Sequence, residues 1–152
     1  MSTKRIQIEQ LDKKFRIYSS TLNVTKPPTG WIKAVRLALG MTLQQLANKL
    51  NITKQSVMEV ERREKEGSIT IKTLRETAKA LDMELVYGLV PKDGTLDNLI
   101  ERKARELASK IVSRTSNTMK LEDQENSNER IEKAINDRIA TLKHEIPKVL
   151  WD

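Results

Sequence analysis

The sequence predicts an all-α protein. Its 152 residues include only five glycines and 3% aromatic residues, whereas a β-sandwich or barrel needs many turns and β-forming side chains. Apolar residues recur at spacings of three and four along much of the chain, as they do on one face of a helix. One exception is expected. The segment "MELVYGLV" (Met83–Val90) is rich in β-branched and aromatic residues and is followed by Pro91, which predicts one short β-strand.

The N-terminal region predicts a helix and then a linker. Residues 1–22 carry apolar side chains at helical spacing with basic residues between them, which is typical of an amphipathic helix. These apolar positions are Ile8, Leu11, Phe15 and Tyr18. Residues 23–30, "NVTKPPTG", contain two prolines and a glycine and cannot continue the helix.

Residues 31–92 predict a domain of short helices that ends in the expected strand. Thr42 and Gln45 have the spacing of a capping box at the start of one helix. Thr53 and Thr70 are placed to cap the next two helices. A single strand requires a partner. Three partners are open: its own copy in a homodimer, which we favour, the edge of another protein, or an extended part of the N-terminal region.

Residues 93–152 predict a C-terminal helical extension. Two apolar stripes, each spaced by three and four residues, flank the polar stretch "RTSNTMKLEDQENSNER", which we expect to be a loop. The stripes are Leu96, Ile100, Ala104, Leu107 and Ile111, and then Ile131, Ile135, Ile139, Leu142 and Ile146. Such stripes favour a helical hairpin or two arms that embrace a partner, although they could equally pack on the preceding domain.

Excess positive charge lies in the first 92 residues of a chain whose formal net charge is +7. Residues 1–30 hold six basic and two acidic residues, residues 31–92 hold eleven and seven, and residues 93–152 hold eleven and twelve. This distribution is typical of proteins that bind a polyanion such as a nucleic acid, although a merely soluble basic protein can share it.

Several classes of protein are not expected. The chain has no cysteine, which removes disulfides and suits a reducing cytoplasm. No apolar run approaches the roughly 20 residues of a membrane span, and "MSTKRIQIEQ" has no signal-peptide core, so we expect a cytoplasmic protein with no membrane partner. His144 is the only histidine, and no metal-ligand cluster, glycine-rich phosphate loop or nucleophile elbow is present. We therefore expect no enzyme activity, metal or cofactor.

Residues 41–62, "MTLQQLANKLNITKQSVMEVER", satisfy the steric requirements of a helix-turn-helix. Ala47 supplies a small side chain where two steeply crossing helices meet. Asn51 occupies the turn, where a left-handed backbone is needed and Asn is tolerated. On the second helix, Val57 and Val60 face inward with Glu61 beside them. In this motif the second helix enters the major groove of double-stranded DNA with its N-terminus first.

The remaining polar positions predict a DNA-binding surface. Gln can pair with adenine, Lys or Arg with guanine, Glu with the cytosine amino group, and Met can touch the thymine methyl. The helix N-termini offer backbone N–H groups to phosphates. The candidate DNA-binding residues are Thr42, Gln44, Gln45, Thr53, Lys54, Gln55, Ser56, Met58, Glu59 and Arg62.

The segment "LALGMTLQQLANKLNITKQSVMEVER…ITIKTLRETAKALDMEL" resembles the Cro and phage-repressor (XRE) helix-turn-helix family over about residues 31–85. The resemblance implies a five-helix, lambda-repressor-like domain, here with one short strand and helical extensions. It also implies phosphate contacts near Thr42 and base or phosphate contacts by Thr53, Lys54, Gln55, Ser56 and Glu59. Many members have Gln directly after the capping threonine of the motif's first helix. Leu43 stands there in this chain, so that contact would pass to Gln44 or Gln45.

A narrower resemblance covers more of the chain. The segments "QLDKKF", "PPTGWIKAVRLALGMT", "ELVYGLVP", "RTSNTMKLEDQ" and the terminal "LWD" are similar to the family called mobile mystery protein A. Genes of that family lie beside a gene for a Fic-domain protein. The resemblance implies an antitoxin and autoregulator whose residues 93–152 bind a Fic-domain toxin. The alternative is a stand-alone phage-type or mobile-element transcriptional regulator.

Fic inhibitors often carry a helix with Ser or Thr followed, four residues later, by Glu and then Gly or Asn. The nearest segments here are "TMKLED" (Thr118 and Glu122) and "TLKHEI" (Thr141 and Glu145), and both lack the final Gly or Asn. We therefore expect any partner to be bound with another geometry.

Overall fold

A computed structural model describes residues 2–121 and 128–152 of the chain. By the contacts between its elements, the chain divides into two compact units, one of residues 1–20 with 89–152 and one of residues 21–88. The α-helices are α1 (Thr3–Tyr18), α2 (Trp31–Ala38), α3 (Leu43–Leu50), α4 (Lys54–Glu66), α5 (Ile71–Ala80), α6 (Leu96–Leu121) and α7 (Asn128–Glu145). Short 3-10 helices cover Ser19–Asn23 and Lys148–Trp151.

The unit of residues 21–88 contains α2 to α5 around one apolar core. Leu46, Ala47 and Val57 are fully buried, and Ile32 and Leu81 nearly so. The helix boundaries follow from local chemistry. Thr42, Thr53 and Thr70 each accept a hydrogen bond from the backbone N–H three residues later, as predicted, and Thr42 forms the full capping box with Gln45.

The other unit is built around the pair α6 and α7. Buried residues of the two apolar stripes, including Ile100, Ala104, Ile139 and Leu142, form its core. Lys143, near the end of α7, pairs with Asp97, near the start of α6, so the two helices run antiparallel. The prediction of a helical hairpin is therefore confirmed for the described residues.

Helix α1 belongs to the same unit and supplies the side chain that caps the N-terminus of α6. Asp12 Oδ1 accepts a hydrogen bond of 2.7 Å from the backbone N–H of Leu96, and Oδ2 accepts one of 3.4 Å from that of Asp97. Arg5 on α1 pairs with the Asp97 carboxylate at 2.5 Å. A carboxylate at a helix N-terminus satisfies free N–H groups and complements the helix dipole.

The predicted strand is wrong for this single chain. Residues 83–90 form no strand, because a strand requires a partner and no backbone hydrogen bond joins residues 84–90 to another described segment. The predicted number of five helices in the helix-turn-helix domain is also not borne out, since four α-helices lie between residues 31 and 92. The first helix ends at Tyr18, and a 3-10 helix follows it.

The polar stretch between the two stripes is largely helical up to Leu121, where a loop was expected. Residues 122–127 lie outside the described part of the chain, and so does the "TMKLED" candidate, which depends on Glu122. Among the described residues, no helix is long and apolar enough to span a membrane.

Candidate nucleic-acid interface

Helices α3 and α4 meet in a three-residue turn that holds the second helix at a fixed angle. Asn51 adopts the left-handed conformation, with φ 54° and ψ 41°, as the sequence predicted. The backbone N–H of Ile52 then bonds to the carbonyl of Ala47 at 3.1 Å. Ala47 is fully buried at the crossing, and Val57 on α4 is fully buried against the same core. The geometry is that of a helix-turn-helix.

A buried ion pair fixes α4 to α2. Arg36 Nε donates a 2.5 Å hydrogen bond to Glu61 Oε1, and both side chains are less than a tenth exposed. Arg36 also donates to the carbonyl of Met41 at 3.0 Å, just before α3 begins. Removing one partner of such a pair is strongly destabilising, because the remaining charge would be buried without compensation. Glu61 was expected to face inward, but sequence reasoning did not find its partner.

Glu64 makes a second connection from α4 to the start of α2. Gly30 is the N-cap of α2 and has no side chain to cap it. Instead, Glu64 Oε1 accepts a 2.9 Å hydrogen bond from the backbone N–H of Ile32. The Lys26 ammonium lies 2.7 Å from both Glu64 Oε2 and the Glu64 carbonyl oxygen. Lys26 thus binds the predicted linker to the C-terminal part of α4.

The backbone of Gly30 matches this arrangement. Its φ is +87°, which L-residues with a side chain rarely adopt. A Cβ atom added there would lie 3.0 Å from Glu64 Oε2. A side chain at this position would therefore be strained and would press on the carboxylate that caps α2.

The ten sequence-predicted DNA contacts all lie on α3, on α4 or on their N-caps, within the unit of residues 21–88. Nine of them are exposed, and Glu59 is half-buried. The outer face of α4 therefore has the mixed polar character that the sequence predicted. Whether these side chains touch DNA stays a prediction.

Several of the ten already make hydrogen bonds through their side chains. The Thr53 hydroxyl donates to Ser56 Oγ at 2.8 Å while Thr53 Oγ1 accepts from the Ser56 N–H. Gln44 Nε2 donates to Asn48 Oδ1 at 2.8 Å. Within the described part of the chain, the side chains of Lys54 and Gln55 have no hydrogen-bond partner, so both are available to a ligand at the start of α4.

Glu59 is the centre of a charged cluster along α4. Its carboxylate accepts hydrogen bonds from two nitrogens of Arg62, one of them at 3.0 Å, and from Arg63 Nε at 3.1 Å. Arg62 also donates to Glu66 Oε2 at 2.5 Å. The hydrogen bonds from Arg62 and the positive charges of both arginines lower the pKa of Glu59 to about 2. The same contacts raise the pKa of Arg62 above its usual value.

A shallow cleft runs beside α4 on the α2 side. Met58 lines it together with Leu43 and four basic side chains, of which Lys33 and Lys65 have no ion pair among the described residues. The basic residues of this cleft are Lys33, Arg36, Arg62 and Lys65. Sequence reasoning missed Lys33 and Lys65, because the 32-residue separation between them hides their proximity.

Residues 32–87 match a family model described as "Helix-turn-helix". No curated protein and no solved structure matches the chain. The matched segment coincides with the four helices α2 to α5 and with the turn geometry around Asn51. The chain thus contains an XRE-type helix-turn-helix domain, which indicates a DNA-binding transcription regulator.

Proposed function

We propose that this chain is a sequence-specific transcriptional repressor that reads its operator through the major groove with α4. The observation that carries the proposal is the state of Lys54 and Gln55. Both side chains are exposed and have no hydrogen-bond partner in the described residues. They lie at the N-terminus of α4, and buried contacts on the opposite face of this helix hold it in place. A helix-turn-helix presents this end to base edges.

The other candidate residues have roles that follow from their positions. Gln55 suits adenine, Lys54 suits guanine, and Glu59 suits the cytosine amino group. Arg62 suits guanine or a phosphate. Met58 is 54% exposed and can reach a thymine methyl. Four more candidates lie at helix N-termini, where backbone N–H groups attract phosphates, and Gln44 is beside them. These four are Thr42, Gln45, Thr53 and Ser56.

Binding to the DNA upstream of its own gene tests the proposal. In a gel-shift series, Gln55→Ala should weaken binding to the operator by about 1–3 kcal/mol, the cost of one lost bidentate base contact, and should leave binding to a scrambled duplex unchanged. Gln10→Ala is the matched control, because Gln10 is also an exposed helical glutamine but lies on α1. Equal operator binding by the two variants would refute base recognition by Gln55.

The proposed repressor is a homodimer, with pairing between the two copies of residues 83–90. This segment forms neither helix nor strand, and its backbone groups have no backbone partner among the described residues beyond Met83. Val86 is 69% exposed and Tyr87 60% exposed. An exposed apolar edge of β-forming residues is suited to pairing with a second chain. A two-fold dimer would place two copies of α4 on successive half-sites of an operator.

Light scattering coupled to gel filtration tests the dimer. The parent protein should have the mass of two chains, and Val86→Lys should shift it toward the mass of one, because a charge at the centre of the paired edge opposes pairing. Val24→Lys is the control, since Val24 is 59% exposed in the same unit and lies outside the segment. A monomeric parent protein, or a dimer that Val86→Lys leaves intact, would refute pairing through this segment.

The resemblance to mobile mystery protein A supports a further role as the antitoxin and autoregulator of an operon with a Fic-domain toxin. In this proposal residues 31–92 bind DNA and residues 93–152 bind the toxin in the cytoplasm. Thr141 and Glu145 are both exposed on α7 and are available to a partner. The alternative is a stand-alone phage-type or mobile-element regulator, which would bind DNA without any such partner.

Co-purification with the product of the adjacent gene separates the two roles. The antitoxin role predicts a stable complex of the full chain with that protein and rescue of growth when both are expressed. Glu145→Ala should leave both intact if binding uses another geometry than the Fic-inhibitory helix, with Glu129→Ala on the same helix as the control. A failure to co-purify would favour the stand-alone regulator.

A further inference from the structure

We propose that Glu59 is a specificity-determining residue that withholds Arg62 and Arg63 from the phosphates of non-operator DNA and releases them where a cytosine amino group replaces them. This inference rests on the proposed DNA-binding function and deepens it. The contacts of Glu59 with Arg62 and Arg63 on the outer face of α4 support it.

One carboxylate holds two guanidinium groups. Glu59 accepts two hydrogen bonds from Arg62 and one from Arg63, and Arg62 is held from its other side by Glu66. All four side chains are between about two fifths and three fifths exposed, so solvent and ligands can reach them. The positive charges of Arg62 and Arg63 are thus neutralised by carboxylates of the same helix.

The lysines around the same helix are in a different state. Lys54, at the start of α4, has no ion pair among the described residues, and the same is true of Lys33 and Lys65 in the neighbouring cleft. Non-specific binding depends on the number of cations that replace condensed counterions at phosphates. In the free protein, the lysines can therefore attract the phosphates of any duplex. The two arginines must first break their ion pairs with carboxylates before they can bind a phosphate.

A cytosine opposite Glu59 would change this balance. Its N4 amino group is a donor in the major groove that pairs with Glu or Asp. When Glu59 accepts from that amino group, it has fewer acceptor positions left for Arg62 and Arg63, and the arginines can turn to phosphates of the operator. Adenine also presents an amino group in the major groove, but guanine and thymine present only acceptors there, so at these two bases the arginines stay on Glu59. Glu59 would thus couple recognition of one base to the strength of contacts with the phosphate backbone of the DNA.

Salt-dependent binding of the full-length protein to a labelled duplex of scrambled sequence tests the inference. Glu59→Gln should raise affinity at low salt several-fold and should steepen the dependence on log salt by between about one and two, since each phosphate that is neutralised adds a slope of about 0.9. Arg63 loses its carboxylate partner, whereas Arg62 loses one of two and must still leave Glu66. Glu76→Gln is the matched control. Glu76 is exposed on α5 and has no ion pair in the described residues, so this variant has the same net charge but frees no arginine.

A second variant identifies the source of the gain. Adding Arg62→Gln and Arg63→Gln to Glu59→Gln should return the salt dependence to that of Glu76→Gln. The inference is overturned if Glu59→Gln behaves like Glu76→Gln, or if the gain persists in the triple variant. A parent protein that shows no salt-dependent binding to any duplex would instead refute the proposed DNA-binding function itself.

Discussion

Replacing Glu64 should loosen the start of α2 from α4. The Glu64 side chain is only 4% exposed and accepts the 2.9 Å hydrogen bond from the Ile32 N–H, whereas Lys26 is 45% exposed. A hydrogen bond to a charged group contributes about 1.5–3 kcal/mol. The Lys26 pair adds little, because its ammonium can return to water. Glu64→Ala should therefore lower the free energy of unfolding by about 2–3 kcal/mol.

Glu64→Gln separates hydrogen bonding from charge. Gln keeps an oxygen that can accept from the Ile32 N–H, so this variant should lose only about 1 kcal/mol. Glu66→Ala is the control on the same helix, because Glu66 is exposed and, within the part of the chain that the structure describes, pairs only with Arg62. That change should cost less than about 1 kcal/mol.

Urea denaturation followed by tryptophan fluorescence measures these differences for the relevant unit. The chain has two tryptophans, Trp31 at the start of α2 and Trp151 in the other unit. In a Trp151→Phe background, the signal reports on Trp31, next to the bond that is removed. If Glu64→Ala unfolds like Glu66→Ala, or if Glu64→Gln is as unstable as Glu64→Ala, the capping role of Glu64 is wrong.

Three further predictions follow from single sites. Gly30→Ala should cost about 1–3 kcal/mol in urea denaturation, since its φ of +87° is unfavourable for alanine and the new methyl would press on Glu64; an unchanged midpoint would contradict this. In a carboxyl-carbon NMR titration, Glu59 should change ionisation near pH 2. Because its folded-state pKa is lowered, its contribution to stability is complete above the unfolded-state pKa and is lost as the pH falls toward 2; a midpoint near 4.3 would argue against the arginine cluster. Asp12→Ala should remove the cap of α6 at a cost of about 1 kcal/mol and speed hydrogen exchange of its first-turn amides, and unchanged exchange would show that the cap contributes nothing.

Local chemistry made much of the helix-turn-helix predictable. The capping box of Thr42 and Gln45, the cap at Thr53 and the left-handed Asn51 each depend on residues within four positions of one another, and all are present. The helices α6 and α7 were also predictable, because their apolar stripes repeat at helical spacing, but the same stripes left the hairpin as one of three open arrangements.

Contacts between residues far apart in the sequence could not be found in the same way. Arg36 pairs with Glu61 across 25 positions, and Ile32 bonds to Glu64 across 32. Nothing in local spacing identifies these partners. A buried Glu61 requires a compensating cation, since isolated buried charges are costly, but local spacing does not say which one. The strand failed for the same reason, because pairing depends on a partner and not on the β-propensity of residues 83–90 alone.

The charged cluster on α4 was visible in the sequence but was interpreted one residue at a time. Glu59 lies three and four positions before Arg62 and Arg63, which is the spacing of side-chain pairs on a helix. Glu59 and Arg62 were expected to meet bases separately, whereas in the free protein they bind each other. The sequence therefore predicted which residues share the surface but not the contacts among them.

The two faces of α4 divide its positions into those that can be exchanged and those that cannot. Val57, Glu61 and Glu64 are buried and hold the helix in place. The exposed positions between them do not hold the helix in place, so they can be varied together without loss of the fold. A library randomised at Lys54, Gln55 and the other exposed positions of this helix, selected against altered operators, would yield regulators with new DNA targets on an unchanged scaffold.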